Sequence, residues 1–272
     1  MVTGVDEQGT AHHGLLSQPI GSLHLEGMPV MVADLHSSLP AVLAGLRSPD
    51  SQEQPRVAYI MTDGGALPLA YSRVVAALSQ AGWLTGTITA GQAWGGDIEA
   101  VSVHNALLAA RHVLRADAAI VIQGPGNLGT ETPWGFSGVA CGDAINAIAT
   151  LGGHPVACLR VSDADARARH RGVSHHSMTA YGRVALAGAD IVVPDLEGPL
   201  GAQVRQEAEA LCAPRPGAGQ HRLVEVPTDG LLELLREAEA QTGVRLSTMR
   251  RGLDEDAAAF IAAAAAGRHV RR

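Results

Sequence analysis

Residues 169–182, Arg-His-Arg-Gly-Val-Ser-His-His-Ser-Met-Thr-Ala-Tyr-Gly, hold three of the chain's twelve histidines and two of its arginines. An imidazole near neutral pH can give or take a proton. A guanidinium can grip a carboxylate or phosphate through two parallel hydrogen bonds. Ser174 has the side chain of a helix N-cap, which puts His175 and His176 in a first turn whose backbone N–H groups also favour negative charge. The stretch predicts an anion site: Arg171 holds the charged group, Ser174 caps the helix, and His175 or His176 moves the proton. Arg169 and His170 approach from the loop side. Adjacent helical residues point about 100° apart, so one of the two adjacent histidines is expected at the centre, not both. The competing expectation is a solvated basic loop ahead of a capped helix.

Other residues that could do chemistry also follow apolar runs. Asp34 and His36 come after Val30–Ala33, and Asp63 opens Asp-Gly-Gly after Val57–Met61. Carboxylate and imidazole donors suit zinc, manganese or iron, so Asp34 and His36 are the candidate pair for a divalent metal, although no H-E-x-x-H or D-x-D spacing accompanies them. Asp63 is a candidate acid/base residue; before two glycines it equally suits a turn closed by its own side chain. In the loop Gly91–Asp97, Gln92, Trp94, Gly95 and Gly96 are candidate ligand contacts, with Trp94 able to stack on a flat molecule. Asp97 is either a catalytic carboxylate or the N-cap of a helix running from Ile98 to about Arg115.

Gln123-Gly-Pro-Gly-Asn-Leu-Gly-Thr130 has the glycine spacing of a dinucleotide loop, and Gly124, Gly126, Asn127 and Thr130 are its candidate ligand contacts. The context departs from that motif. Thr130-Glu-Thr-Pro-Trp-Gly does not continue as a helix, and no acid ends the next strand. NAD or FAD is therefore not the expected cofactor; the loop reads as a looser anion site or a structural turn. Cys141, early in a helix, is either a stabilised thiolate or a small buried side chain, and Cys158 reads as core.

Composition narrows the classes. All 20 basic residues are arginine. Without lysine there is no Schiff base to pyridoxal phosphate and no Walker-type phosphate loop. A net charge of −7 argues against non-specific nucleic-acid binding. Three cysteines without C-x-x-C spacing fit a reduced cytoplasmic protein. No apolar run is long enough to span a membrane, and the N-terminus does not read as a secretory signal.

The elements that must position these residues alternate. Short apolar strands are predicted near residues 30–33, 57–61, 84–89, 118–122, 155–161, 190–193 and 223–226, with helices between them. The Pro49–Pro55 stretch reads as a polar turn. An Ala-rich helix from Asp254 to Ala266 stops at Gly267; either Arg250 and Arg251 before it salt-bridge Asp254–Asp256, or the terminal helix serves a homo-oligomer (dimer) contact. The pattern predicts an α/β fold: a doubly wound, mostly parallel sheet of about seven strands with helices on both faces. An eight-fold barrel is the alternative, but the strand count falls short. The expected organisation is an irregular segment at 1–27, an α/β core at 28–245, and a C-terminal arm with the Ala-rich helix at 246–272.

The phrases Val32-Ala-Asp-Leu-His-Ser, Tyr59-Ile-Met-Thr-Asp-Gly-Gly-Ala-Leu-Pro, Gly86-Thr-Ile-Thr-Ala-Gly-Gln-Ala-Trp-Gly-Gly-Asp, Gln123-Gly-Pro-Gly-Asn-Leu-Gly-Thr and His170-Arg-Gly-Val-Ser-His-His resemble a bacterial family of domains of unknown function, number thirty-eight sixty-six. The resemblance runs from about residue 5 to the C-terminus. It implies a cytosolic bacterial protein and supplies no established activity. It also implies a further N-terminal segment ahead of residue 5, so this sequence is expected to be a short form or to start late. A fainter likeness joins Gly124-Pro-Gly-Asn and Val139-Ala-Cys-Gly to subunits of glycine and betaine reductases.

The expected function is that of an enzyme, of hydrolase or transferase type, acting on a small anionic metabolite, phosphorylated or nucleotide-like, at the sheet's C-terminal edge. The alternatives are a non-catalytic metabolite-binding or regulatory module on the same scaffold, a reductase-type subunit, and an oligomerising scaffold whose loops merely pack.

Overall fold

The computed structural model describes residues 3–48 and 51–271. Met1 and Val2 of the N-terminal segment, Pro49 and Asp50 of the predicted turn, and Arg272 lie outside them. In chain order the strands are β1 (Pro29–Ala33), β2 (Val57–Thr62), β3 (Gly86–Ala90), β4 (Ile98–Ala100), β5 (Ala118–Gln123), β6 (His154–Cys158), β7 (Val161–Ser162), β8 (Gly172–Val173), β9 (Asp190–Asp195), β10 (Arg222–Pro227), β11 (Ser247–Thr248) and β12 (Arg251–Gly252). The helices are α1 (His13–Leu16), α2 (Leu39–Leu46), α3 (Arg73–Gln80), α4 (Val103–His112), α5 (Ala140–Thr150), α6 (His175–Thr179), α7 (Gly198–Leu211), α8 (Leu231–Thr242) and α9 (Ala257–Val270).

Among the described residues, eight strands form one sheet in the order β10-β9-β6-β1-β5-β2-β3-β4, and every pairing is parallel. The central strands are the most apolar and the most buried: β5, Ala-Ala-Ile-Val-Ile-Gln, is buried throughout, and the edge strand β10 is not. Alternate strand residues feed two apolar clusters. Val32, Ile60 and Val121 pack with residues of α4, α5 and α7. Met31, Tyr59 and Ile120 pack with residues of α2, α3 and α8. Each fully buried Val, Leu or Ile stabilises by roughly 2 kcal/mol, and with so few aromatic residues these aliphatic side chains carry both clusters.

The count of eight corrects the expected seven. The extra strand is β4, where the sequence predicts the start of a helix. Ile98 pairs with Ile88 of β3, and the helix begins later, at α4, where Ser102 Oγ accepts from the Asn105 N–H. Asp97 is therefore no N-cap. Its Oδ2 accepts from both the backbone N–H and the hydroxyl of Thr87, each at 2.8 Å, and fastens the loop back onto β3.

Gly267 is a second correction: it lies inside α9. A Cβ there would stand 2.0 Å from the carbonyl oxygen of Val42, and one on Gly45 would stand 1.9 Å from that of Ala264. The two glycines let α2 and α9 lie against each other at backbone distance. The predicted helix after His175 is also shorter than expected. α6 passes at Ala180 into a single π-helical turn ending at Val184, and Tyr181 in that turn donates to the carbonyl of Val32 at 2.8 Å. The turn is thereby pinned to β1.

Candidate functional site

β6, β1 and β5 are neighbours, and the chain leaves their C-terminal ends through Arg160, Asp34 and Gln123. Beyond Arg160 the chain makes an excursion and returns: β7 pairs antiparallel with β8, and the Ser174 N–H donates to the Arg160 carbonyl at 2.8 Å. That ribbon brings the first turn of α6 back over Arg160, whose own N–H donates to Ser177 Oγ at 3.0 Å. Ser174 caps α6 as expected, accepting from the His176 N–H at 3.2 Å, and its hydroxyl also meets His170 Nδ1 at 2.7 Å.

Asp34 is the centre of the arrangement. Its Oδ2 lies 3.0 Å from His176 Nδ1 and 3.1 Å from Arg160 Nη1. Its Oδ1 faces the amide nitrogens of Gln123 and Asn127 at 3.3 and 3.4 Å. Arg160 Nη1 also comes within 3.2 Å of His176 Nδ1. Two donors aimed at one carboxylate oxygen explain that approach, so the His176 proton is assigned to Nδ1, which leaves a lone pair on Nε2. Burial alone would push the Asp34 carboxyl up, but the His176 hydrogen bond and the Arg160 charge outweigh it and hold it below the ordinary range. Phe136 stacks on the His176 ring at 3.8 Å between centroids, nearly parallel.

His170, His175 and His176 form a cluster with ring centroids 4.5 to 5.0 Å apart. Burial, with the charges of Arg160 and Arg167, lowers His170 to about 3. Burial, with His176, Arg169 and Arg160, lowers His175 to about 4. Both rings are neutral at pH 7. Around them, Arg167 makes a two-pronged pair with Asp165, Nε to Oδ1 and Nη2 to Oδ2, each at 2.9 Å. This hydrogen-bonded pair holds Asp165 well below the usual carboxylate range against the opposing effect of burial. Arg251 ties the same carboxylate to Asp256 at the start of α9, at 3.2 and 2.9 Å. Of the two arginines before that helix, Arg251 thus makes the expected salt bridge to Asp256.

These groups border a cavity of about 560 Å³. Its walls include His36, Gly126, Asn127, Phe136, Arg160, Arg167, Arg169, His170, His175 and His176. Both adjacent histidines line it. Two buried atoms in its wall, Arg169 Nε and His175 Nε2, have no hydrogen-bond partner among the described residues.

Several predicted residues lie elsewhere. Arg171 is exposed and donates its Nε to the Asp165 carbonyl, away from the cavity. Asp63 is exposed and closes a turn by accepting from the Ala66 N–H at 3.0 Å. Gln92, Trp94, Gly95, Gly96 and Asp97 belong to the loop between β3 and β4, and none of them lines the cavity. Gly124 continues β5, its N–H donating to the Thr62 carbonyl. Thr130 closes a turn onto Gly135.

Asp34 and His36 do not meet as a metal pair. His36 places Nδ1 against the Tyr59 hydroxyl at 3.0 Å and Nε2 against Ser72 Oγ at 2.7 Å, so both its nitrogens are engaged. Cys141 is a buried thiol in α5, and burial pushes its pKa well up, against the thiolate alternative. Arg160 is the residue the sequence reading passed over. Its signal was available: a lone charge two residues beyond Cys158, at the end of an apolar strand.

Among the described residues, no helix is long and apolar enough to cross a membrane. No curated protein matches the chain, and no solved structure matches it. A family model described as a protein of unknown function (DUF3866) matches residues 1–267. The chain belongs to that family.

Proposed function

We propose that the chain is an enzyme of hydrolase or transferase type whose cavity at the end of β6, β1 and β5 takes a small anionic metabolite, phosphorylated or nucleotide-like. The carrying observation is the pair of buried, unpartnered polar atoms, Arg169 Nε and His175 Nε2, in a wall that also holds Arg160, Arg167 and His176. A guanidinium Nε is always a donor. Left unsatisfied it costs free energy, and a bound carboxylate or phosphate oxygen removes that cost. The strand order supports the same place. β1 leads to α2, in one apolar cluster, and the neighbouring β5 leads to α5, in the other. In a doubly wound sheet, the crevice where the connections part to opposite faces is where ligands bind. The imidazole cluster then serves the reacting oxygen: Asp34 fixes the His176 proton on Nδ1 and leaves the Nε2 lone pair to draw a proton from a hydroxyl or water.

Thermal-shift and calorimetric titrations with inorganic phosphate, pyrophosphate, sugar phosphates and nucleoside monophosphates test this reading. At least one should stabilise the protein, and Arg169→Ala should weaken its binding about tenfold or more, the equivalent of one charge-assisted hydrogen bond. Mass spectrometry of each stabilising compound after incubation then separates an enzyme from a non-catalytic module, since turnover leaves a changed compound and sensing does not. Binding that survives Arg169→Ala unchanged would place the anion elsewhere.

A further inference from the structure

We propose that His170, His175 and His176 bind one divalent transition metal ion, zinc by preference, through three imidazole nitrogens, with a fourth position open to the cavity. The inference deepens the reading of this cavity as an active site and rests on it for the ion's chemical role, though not for its binding. Each of the three residues offers one ligand atom, and all three atoms lie within 4.8 Å of one another. Nitrogens on a tetrahedral zinc at 2.0–2.1 Å stand about 3.4 Å apart, so small side-chain rotations close the set. Two of the rings already have the outer partners that metal-bound imidazoles need. His170 meets Ser174 Oγ through Nδ1, and His176 meets the Asp34 carboxylate through Nδ1. Each keeps Nε2 for a ligand. The third ring, His175, has a buried Nε2 with no partner among the described residues, which an ion would satisfy.

The charges nearby are compatible with a dication. Arg160 is paired with Asp34 and Arg167 with Asp165. Among the described residues, Arg169 has only the distant Glu131 contact at 3.6 Å as an ion pair, and it lines the same cavity, so its charge is available to an anionic fourth ligand, hydroxide or a substrate oxygen. A second group with ligand-like spacing, His154, Asp190 and His269, does not compete. There both Nε2 atoms already point at Asp190 Oδ2 at 2.8 Å, and Arg222 donates to the same carboxylate. Three imidazoles with an open position are the donor set of catalytic zinc sites, where the ion activates a bound water. With the ion bound, His176 Nε2 is a ligand and no longer the base, and the metal-activated water takes over the oxygen activation assigned to this cluster.

The test uses the full chain without a histidine tag. The protein is stripped with a chelator, reloaded with zinc or cobalt, and assayed by elemental analysis, competition with a chromophoric chelator, and the visible spectrum of the cobalt form. About one ion per chain is expected, with intense tetrahedral cobalt bands. His175→Ala and His176→Ala should each weaken zinc binding at least about a hundredfold, and Asp34→Asn about 10–100-fold as an outer partner. His154→Ala should change nothing. Because His170 is buried, the half-buried His175 carries the test, with far-UV circular dichroism confirming that its variant folds. Failure to bind either ion, retention of the ion by both His175→Ala and His176→Ala, or its loss in His154→Ala would overturn the proposal. Phosphate binding that persists in metal-free protein and depends on Arg169 would leave the active-site reading standing while the metal fell.

Discussion

Gly138→Ala isolates what Asp34 does. Gly138 is buried in the 3-10 turn Ser137–Val139 that leads into α5, and its φ is not in the left-handed region. Backbone propensity alone therefore predicts that alanine stabilises this position, by up to about 1 kcal/mol. The packing predicts the opposite, because a Cβ there would lie 1.8 Å from Asp34 Oδ1. The carboxylate must swing away or the turn must lift. If it swings, Oδ2 leaves His176 and Arg160, and one charge-assisted hydrogen bond to a buried partner is worth about 1.5–3 kcal/mol. If the turn lifts, overpacking costs about 1–3 kcal/mol. Either route outweighs the propensity gain, for a net loss of about 1–2 kcal/mol. Urea unfolding should show a midpoint lower by about 0.5 M at a slope of about 3 kcal/mol/M. Long-range proton–nitrogen NMR should find the His176 proton on Nδ1 in the native protein and a mixed or reversed tautomer in the variant. If Gly138→Ala is as stable as the native chain and leaves the His176 ring nitrogens unchanged, then Asp34 does not set that tautomer.

Other outcomes follow from single features of the structure. Gly45→Ala or Gly267→Ala should each cost about 3 kcal/mol or more by driving α2 from α9, since each Cβ would fall within 2.0 Å of a backbone oxygen; a thermal melt of either variant that matches the native one would refute the close helix contact. Burial lowers His36 to about 4, whereas the unfolded chain takes up that proton near 6.5; the stability His36 confers is thus complete above about pH 6.5 and is lost as pH falls toward 4, at up to about 1.4 kcal/mol per pH unit. Urea midpoints for the native chain and His36→Gln at pH 7 and pH 5 check this, and equal acid sensitivity of the two would show that His36 is solvated. Asp190 gathers Arg222 of β10, His154 of β6 and His269 of α9 onto one buried carboxylate, so Asp190→Asn should cost about 2 kcal/mol, read by urea unfolding at pH 7.

The sheet was legible because its signal is local. Apolar runs bounded by Gly, Pro and Asp gave seven of the eight strands near their observed positions. α2 fell where Leu39–Leu46 was read, because Pro40 in its first turn and a wholly apolar face leave few alternatives. β4 was not legible, since three residues carry no period, and Asp97 before Ile98 imitates a helix cap while in fact bonding back to Thr87. The site divides the same way. The His/Arg stretch could be found because its residues are close in sequence and the ribbon of β7 and β8 keeps them together. The loop at 91–97 has as dense a set of suggestive residues, yet it follows β3, which is separated from β1 by β2 and β5. Local composition ranks the two loops alike; strand order alone distinguishes them. Asp34, Gln123 and Arg160 converge because β1, early in the chain, lies between β5 and β6, which come much later in it. No residue near any of the three encodes that adjacency. What the sequence does carry is a polar residue, in each case, at the end of an apolar strand, which is a necessary condition for the site. The parallel order supplies the sufficient one, so a variant that disturbs how β1 seats between β5 and β6 should dissolve the His176–Asp34–Arg160 contacts even if every site residue is intact.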